Sequence, residues 1–97
     1  MIMTKSERDD FVALLAQAGW SLREGTIWSP SNGLRFDDSH FAQWSLKDFG
    51  EVFSRRADRI KTAKVGDWEC SARENQQACE AAQTVLKNRS TQQSGGG

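Results

Sequence analysis

The sequence predicts an α+β domain: a three-stranded antiparallel meander and three helices in the order α-β-β-β-α-α. Three observations carry this. Residues 20–36 split into three short apolar pieces separated by turn residues, too short for helices. The stretch before them and two longer stretches after them repeat apolar residues at helical spacing. A length of 97 residues allows one modest core and one domain. That domain is expected to span residues 1–88, leaving 89–97 as a polar tail ending in three glycines and expected to be disordered.

The first helix is predicted over Glu7 to Ala18, with Ser6 as N-cap and Glu7, Asp9 and Asp10 in the turn where the helix dipole favours acids. Phe11, Leu14, Leu15 and Ala18 share one face, and Gly19 ends the helix.

The meander consists of Trp20 to Arg23, Thr26 to Ser29 and Leu34 to Phe36. Glu24-Gly25 supplies the first turn, because a two-residue hairpin needs positive φ and glycine adopts it freely. The second connection is Pro30-Ser31-Asn32-Gly33. A two-residue Asn-Gly turn would put Pro30 inside a paired strand, where it has no N–H to donate. A four-residue loop is therefore expected, with Gly33 in the left-handed position.

That loop length sets the register. Arg23 opposes Thr26, Leu22 opposes Ile27, Trp28 opposes Arg35 and Ile27 opposes Phe36. Alternation then places Trp20, Leu22, Ile27, Leu34 and Phe36 on one face with Ser29, and Ser21, Arg23, Thr26, Trp28 and Arg35 on the other. The first face is the expected core.

Residues 37–44, Asp-Asp-Ser-His-Phe-Ala-Gln-Trp, hold two carboxylates and the chain's only histidine. A closed metal site needs three or four ligands in a set geometry, which one short segment rarely supplies. The expected role is a solvated acidic turn in which Asp37 or Asp38 caps a helical turn, with Phe41 and Trp44 anchored in the core. No metal and no cofactor is implied.

The second helix opens at Ser45 with Asp48 in the capping-box position and runs to about Thr62. Leu46, Phe49, Val52, Phe53, Ala57 and Ile60 form its apolar stripe, and Gly50 lies within it. Arg55, Arg56, Arg59, Lys61 and Lys64 are basic, but Glu51 and Asp58 interrupt them. A solvated, self-paired face fits this pattern better than a phosphate-binding one.

The third helix is predicted from Asp67 as N-cap to about Asn88; a start at Ser71, three residues before Glu74, is the rival. Trp68, Ala72, Asn75, Cys79, Ala82 and Leu86 form its stripe. This stripe either packs on the second helix or, with Asn75 setting register, pairs two copies as a homodimer. Cys79 reads as a small core residue, since no histidine lies near it in the sequence. Cys70 and Cys79 would sit roughly 13 Å apart on one helix, too far for a disulfide.

Thirteen basic and thirteen acidic residues give a formal net charge of zero, so no global field attracts nucleic acid or membrane. No signal peptide or membrane span is recognisable, and with free thiols this predicts a cytoplasmic protein. No nucleophile–base pair or glycine-rich phosphate loop appears, so an enzyme is not expected.

The functional expectation is a small non-catalytic protein-binding or regulatory module. Arg23, Trp28 and Arg35 are its partner-binding residues, because tryptophan and arginine dominate the energetic centres of interfaces. The alternative is nucleic-acid binding through the same residues aided by Arg56, Lys61 or Lys64. Both readings need the Trp28 face to be open rather than covered by Ala78, Ala82 and Leu86 of the last helix.

Overall fold

The computed structural model describes residues 3–95, with side chains through residue 89. Among these the order is α1 (Lys5–Gln17), β1 (Ser21–Arg23), β2 (Thr26–Trp28), β3 (Arg35–Phe36), α2 (Asp38–Gln43), α3 (Leu46–Ala63) and α4 (Trp68–Gly95). The α+β meander is present, with strand order β1-β2-β3. The helical turn expected in the connection to α3 is a short helix of six residues, α2, which makes four helices where three were expected.

α1 starts earlier than expected. Its N-cap is Thr4, not Ser6: Thr4 Oγ1 accepts from the Glu7 N–H at 3.1 Å and Glu7 Oε1 accepts from the Thr4 N–H at 2.9 Å. This reciprocal box satisfies two backbone donors at once. Gly19, at φ +101°, ends the helix and lets the Trp20 N–H reach the Leu15 carbonyl at 3.0 Å.

Every expected strand pairing is observed: Arg23 with Thr26, Leu22 with Ile27, Trp28 with Arg35 and Ile27 with Phe36. Glu24 and Gly25 both have positive φ, 51° and 79°, as the tight primed turn requires. In the second connection the Ser29 N–H donates to the Leu34 carbonyl at 2.9 Å, which leaves Pro30 to Gly33 as the loop. The left-handed residue there is Asn32 (φ 63°) and not Gly33. Asparagine tolerates this conformation, and here its side-chain oxygen is also bonded to Arg23.

The core face is built as expected from Trp20, Ile27 and Phe36, with Leu34 half-buried at its margin. Leu22 departs from expectation, being 58 % exposed. It shares the face of Ile27, but the aromatic rings of α1 and α3 converge on β3, at the opposite edge of the sheet. Their meeting point is Phe36. Its ring lies 6.1 Å from Phe11 of α1, 5.6 Å from Trp20, 5.1 Å from Phe49 and 5.2 Å from Phe53 of α3.

α2 is capped by Asp37, whose carboxylate accepts from the Ser39 N–H at 3.0 Å and the Ser39 hydroxyl at 2.6 Å. Phe41 is buried and Trp44 half-buried, which anchors the segment as expected. α3 begins with the expected box, the Asp48 N–H donating to Ser45 Oγ at 3.2 Å and the Ser45 N–H to Asp48 Oδ2 at 3.0 Å. It ends at Lys64 in the left-handed region.

α4 takes the earlier of its two expected starts and continues to Gly95, past the expected end at Asn88. No glycine or proline interrupts residues 89–94, so nothing in the chain stops it. The part of the expected tail beyond Gly95 lies outside the described residues. α4 runs antiparallel to α3: Gly50 meets Gln83, and Lys61 bonds Gln76 at 2.8 Å.

Two stripes of α4 are buried, not one. Ala72, Asn75, Cys79 and Ala82 form the expected stripe; Glu74, Ala78, Ala81 and Val85 form a second. Trp68 and Leu86, at the ends of the expected stripe, are only partly covered, Leu86 being 37 % exposed. The Asn75 stripe is thus buried within a single chain. α4 reaches the sheet through Gln77, whose Oε1 accepts from the Trp20 indole N–H at 2.9 Å, and α1 through Arg89, which bonds Asp10 at 2.8 Å.

Two outcomes test this account. Glu24→Asn removes an unfavourable left-handed glutamate and is expected to raise stability by about 1 kcal/mol in urea unfolding. Phe36→Ala is expected to cost about 3–5 kcal/mol, since it empties the site on which α1 and α3 converge.

Candidate functional site

The sheet face away from the helices carries Ser21, Arg23, Thr26, Trp28 and Arg35. Ser21, Arg23 and Arg35 are exposed, while Thr26 and Trp28 are half-buried. The last helix does not cover Trp28. Ala78 and Ala82 are buried on the core side, where α4 meets Trp20, and Leu86 is exposed.

All three expected site residues come together. The Arg23 guanidinium carbon lies 4.9 Å from the Trp28 ring centroid and that of Arg35 lies 5.7 Å away. Each cation therefore sits within reach of the indole's electron-rich face. Cross-strand pairing accounts for this: Arg35 is directly opposite Trp28, and Arg23 is a diagonal neighbour through the Ser21–Trp28 pair. Arg23, Glu24, Thr26 and Trp28 line a shallow, open concavity.

Two residues not singled out from the sequence shape this face. Asn32 Oδ1 accepts from Arg23 Nη2 at 2.8 Å and holds that guanidinium near the ring. Glu74, only 3 % exposed on α4, holds the loop that carries Asn32. Its Oε2 accepts from the Ser31 N–H at 2.9 Å and its Oε1 from the Ser31 hydroxyl at 2.7 Å. The Cys70 thiol approaches Glu74 Oε2 at 3.6 Å.

Burial by itself would raise the pKa of Glu74. The hydrogen bonds from the Ser31 hydroxyl and N–H, helped by Ser29 and Cys70, outweigh it and hold the carboxyl below its ordinary value of 4.5. The sequence signal was its spacing: Glu74, Ala78, Ala81 and Val85 recur at four-three-four, a second stripe headed by an acid. Glu74 also sits three residues after Ser71, where it resembles a capping-box partner.

The other reactive side chains serve local structure. The Asp37 carboxyl is lowered to about 2, chiefly by the Ser39 hydroxyl bond, and its work is to cap α2. His40 Nδ1 lies 3.0 Å from Asp37 Oδ1 within the same cap. Burial pushes the Cys79 thiol up, away from the thiolate a nucleophile requires. Among the described residues no three His, Cys, Asp or Glu side chains converge on a point that would hold a metal ion.

The basic residues expected to assist nucleic-acid binding lie on α3 and at its C-cap, each exposed and beside a neighbour of its own. Arg56 lies over the Phe53 ring at 5.5 Å, Lys61 bonds Gln76, and Lys64 lies over Trp68 at 5.5 Å. No helix among the described residues is long and apolar enough to cross a membrane.

No protein-family model, curated protein or solved structure matches this chain.

The role of Glu74 is open to measurement. A carboxyl with a lowered folded-state pKa contributes stability above its ordinary range and loses that contribution as pH falls through the folded value. Glu74→Gln is expected to cost about 1–3 kcal/mol at neutral pH. The gap between wild type and variant should narrow in acid, as unfolding midpoints measured across the carboxylate range would record.

Proposed function

We propose that this chain is a non-catalytic protein-binding module of the cytoplasm, regulatory in the sense that it acts by occupying a partner. Trp28 is the apolar anchor, and Arg23 and Arg35 are the charged hydrogen-bond donors beside it. The observation that carries this reading is a half-buried tryptophan held between two arginines on the sheet face opposite the helices. A flat aromatic flanked by guanidinium groups offers apolar area and directed donors at little entropic cost, which is why these residue types dominate interface centres. Free thiols at Cys70 and Cys79 accord with a reducing compartment.

Nucleic acid could stack a base on the same indole. A formal net charge of zero and the acids Glu51 and Asp58 among the basic residues of α3 do not favour a phosphate-tracking surface.

Capture from cell extract with wild type, Trp28→Ala, Arg35→Glu and a control on exposed Glu69 of α4, Glu69→Ala, tests the proposal. A protein held by wild type and Glu69→Ala, and lost with the two face variants, is the expected result. If all four retain the same set, the face is not the binding site. Nucleic acid recovered in place of protein, with retention falling steeply as salt rises, would replace the reading with its rival.

A further inference from the structure

We infer that the Arg23–Trp28 face and the adjoining free edge of β1 together receive an extended segment of a partner protein in which acidic and apolar residues alternate. This rests on the protein-binding reading above and specifies the chemistry of its ligand.

The first ground is the edge. In the order β1-β2-β3, one side of β1 has no neighbouring strand. The two-residue turn at Glu24-Gly25 makes Arg23 and Thr26 a hydrogen-bonded pair. Alternation along an antiparallel ladder then makes Leu22 and Ile27 a non-bonded pair, so the Leu22 N–H and C=O point outward. An extended peptide laid along β1 would bond both groups and add a fourth strand to the sheet.

The second ground is what the two faces present at that edge. On one, Leu22 is a large apolar side chain left 58 % exposed. On the other stands Arg23 with Trp28 behind it. Successive residues of an added strand point to opposite faces. Its side chains would therefore alternate between apolar contact with Leu22 and charged contact with Arg23.

The third ground is charge. Among the described residues the ion pairs are Arg8–Asp38, Arg89–Asp10 and Asp37–His40, and none involves Arg23 or Arg35. Arg23 is already oriented by Asn32, so a carboxylate arriving there finds a preset donor.

Other occupants fit less well. A second copy paired β1 to β1 about Leu22 would set Leu22 on Leu22 and Arg23 opposite Ser21, placing both Arg23 side chains on one face with no acid between them. A phosphodiester backbone has no N–H and C=O alternating at strand spacing to match the edge.

The probe is a short fluorescein-labelled peptide of alternating glutamate and valine, read by anisotropy. Comparators are the alternating lysine–valine peptide, the glutamate–valine peptide N-methylated on its valines, whose N–H groups would face β1, and an oligothymidylate. The glutamate–valine peptide is expected to bind, to weaken as salt rises, and to lose about tenfold or more with Arg23→Glu and with Leu22→Asp. Both positions are exposed, so each variant is expected to fold, which its circular dichroism spectrum checks. N-methylation should abolish binding, because it removes the strand's donors.

No binding of the glutamate–valine peptide, equal binding of the lysine peptide, or undiminished binding after N-methylation overturns the inference. So does tighter binding of the oligothymidylate, or a sedimenting dimer that Leu22→Asp dissolves. If Trp28-dependent capture persists while the alternating peptide fails, only the ligand chemistry is wrong. If that capture is absent, the protein-binding reading itself falls.

Discussion

A strand of two residues cannot hold its own place in a sheet, and β3 is such a strand. What holds it is the Phe36 ring, which meets rings from α1, from the residue entering β1, and from α3, and also lies 5.9 Å from the His40 ring of α2. Packing of this kind allows little slippage, because a one-residue shift would turn Phe36 to solvent and Arg35 into the core. Neighbouring residues on a strand point to opposite faces. The contact that locks Phe36 downward therefore holds Arg35 upward, across from Trp28.

A second constraint is polar. Glu74 reaches from α4 to Ser31 and fastens the β2–β3 loop with two charge-assisted hydrogen bonds. The next residue, Asn32, takes the left-handed conformation and bonds Arg23. A carboxylate nearly excluded from water thus links the longest helix to the exposed face through one loop. The two constraints divide the work: aromatic packing sets the height and direction of the strands, and the Glu74–Ser31 contact sets the loop that arranges the cations.

Much of this was legible in the sequence. Pro30 cannot donate to a ladder, and that fact alone selected the four-residue loop, from which the register followed. Ser45 with Asp48 marked the start of α3, and the register placed Trp28 between Arg23 and Arg35. Where sequence reasoning missed, a competing interaction was at work. Thr4 displaced Ser6 as the N-cap because Thr4 and Glu7 close a reciprocal box. Asn32 displaced Gly33 in the left-handed position, where its side chain also gains a partner in Arg23. Leu22 satisfied the alternation rule and still lies in solvent, because the rule assigns a face and is silent on how far a covering layer extends.

The sequence by itself determined the class of fold, the order of its main elements, the strand register and the identity of the residues on each face of the sheet. These depend on local backbone chemistry and on periods of two and 3.6, which a chain carries in its own order. Only the tertiary structure decided that all the long helices gather on one face, that α4 is buried along two stripes, and that Glu74 reaches Ser31 across 43 positions of sequence. Those outcomes turn on which elements meet in space, a property of the packed whole that local pattern does not encode. The Arg23–Trp28–Arg35 face belongs to both accounts: register assembled it, and the choice of the opposite face for the helices left it open.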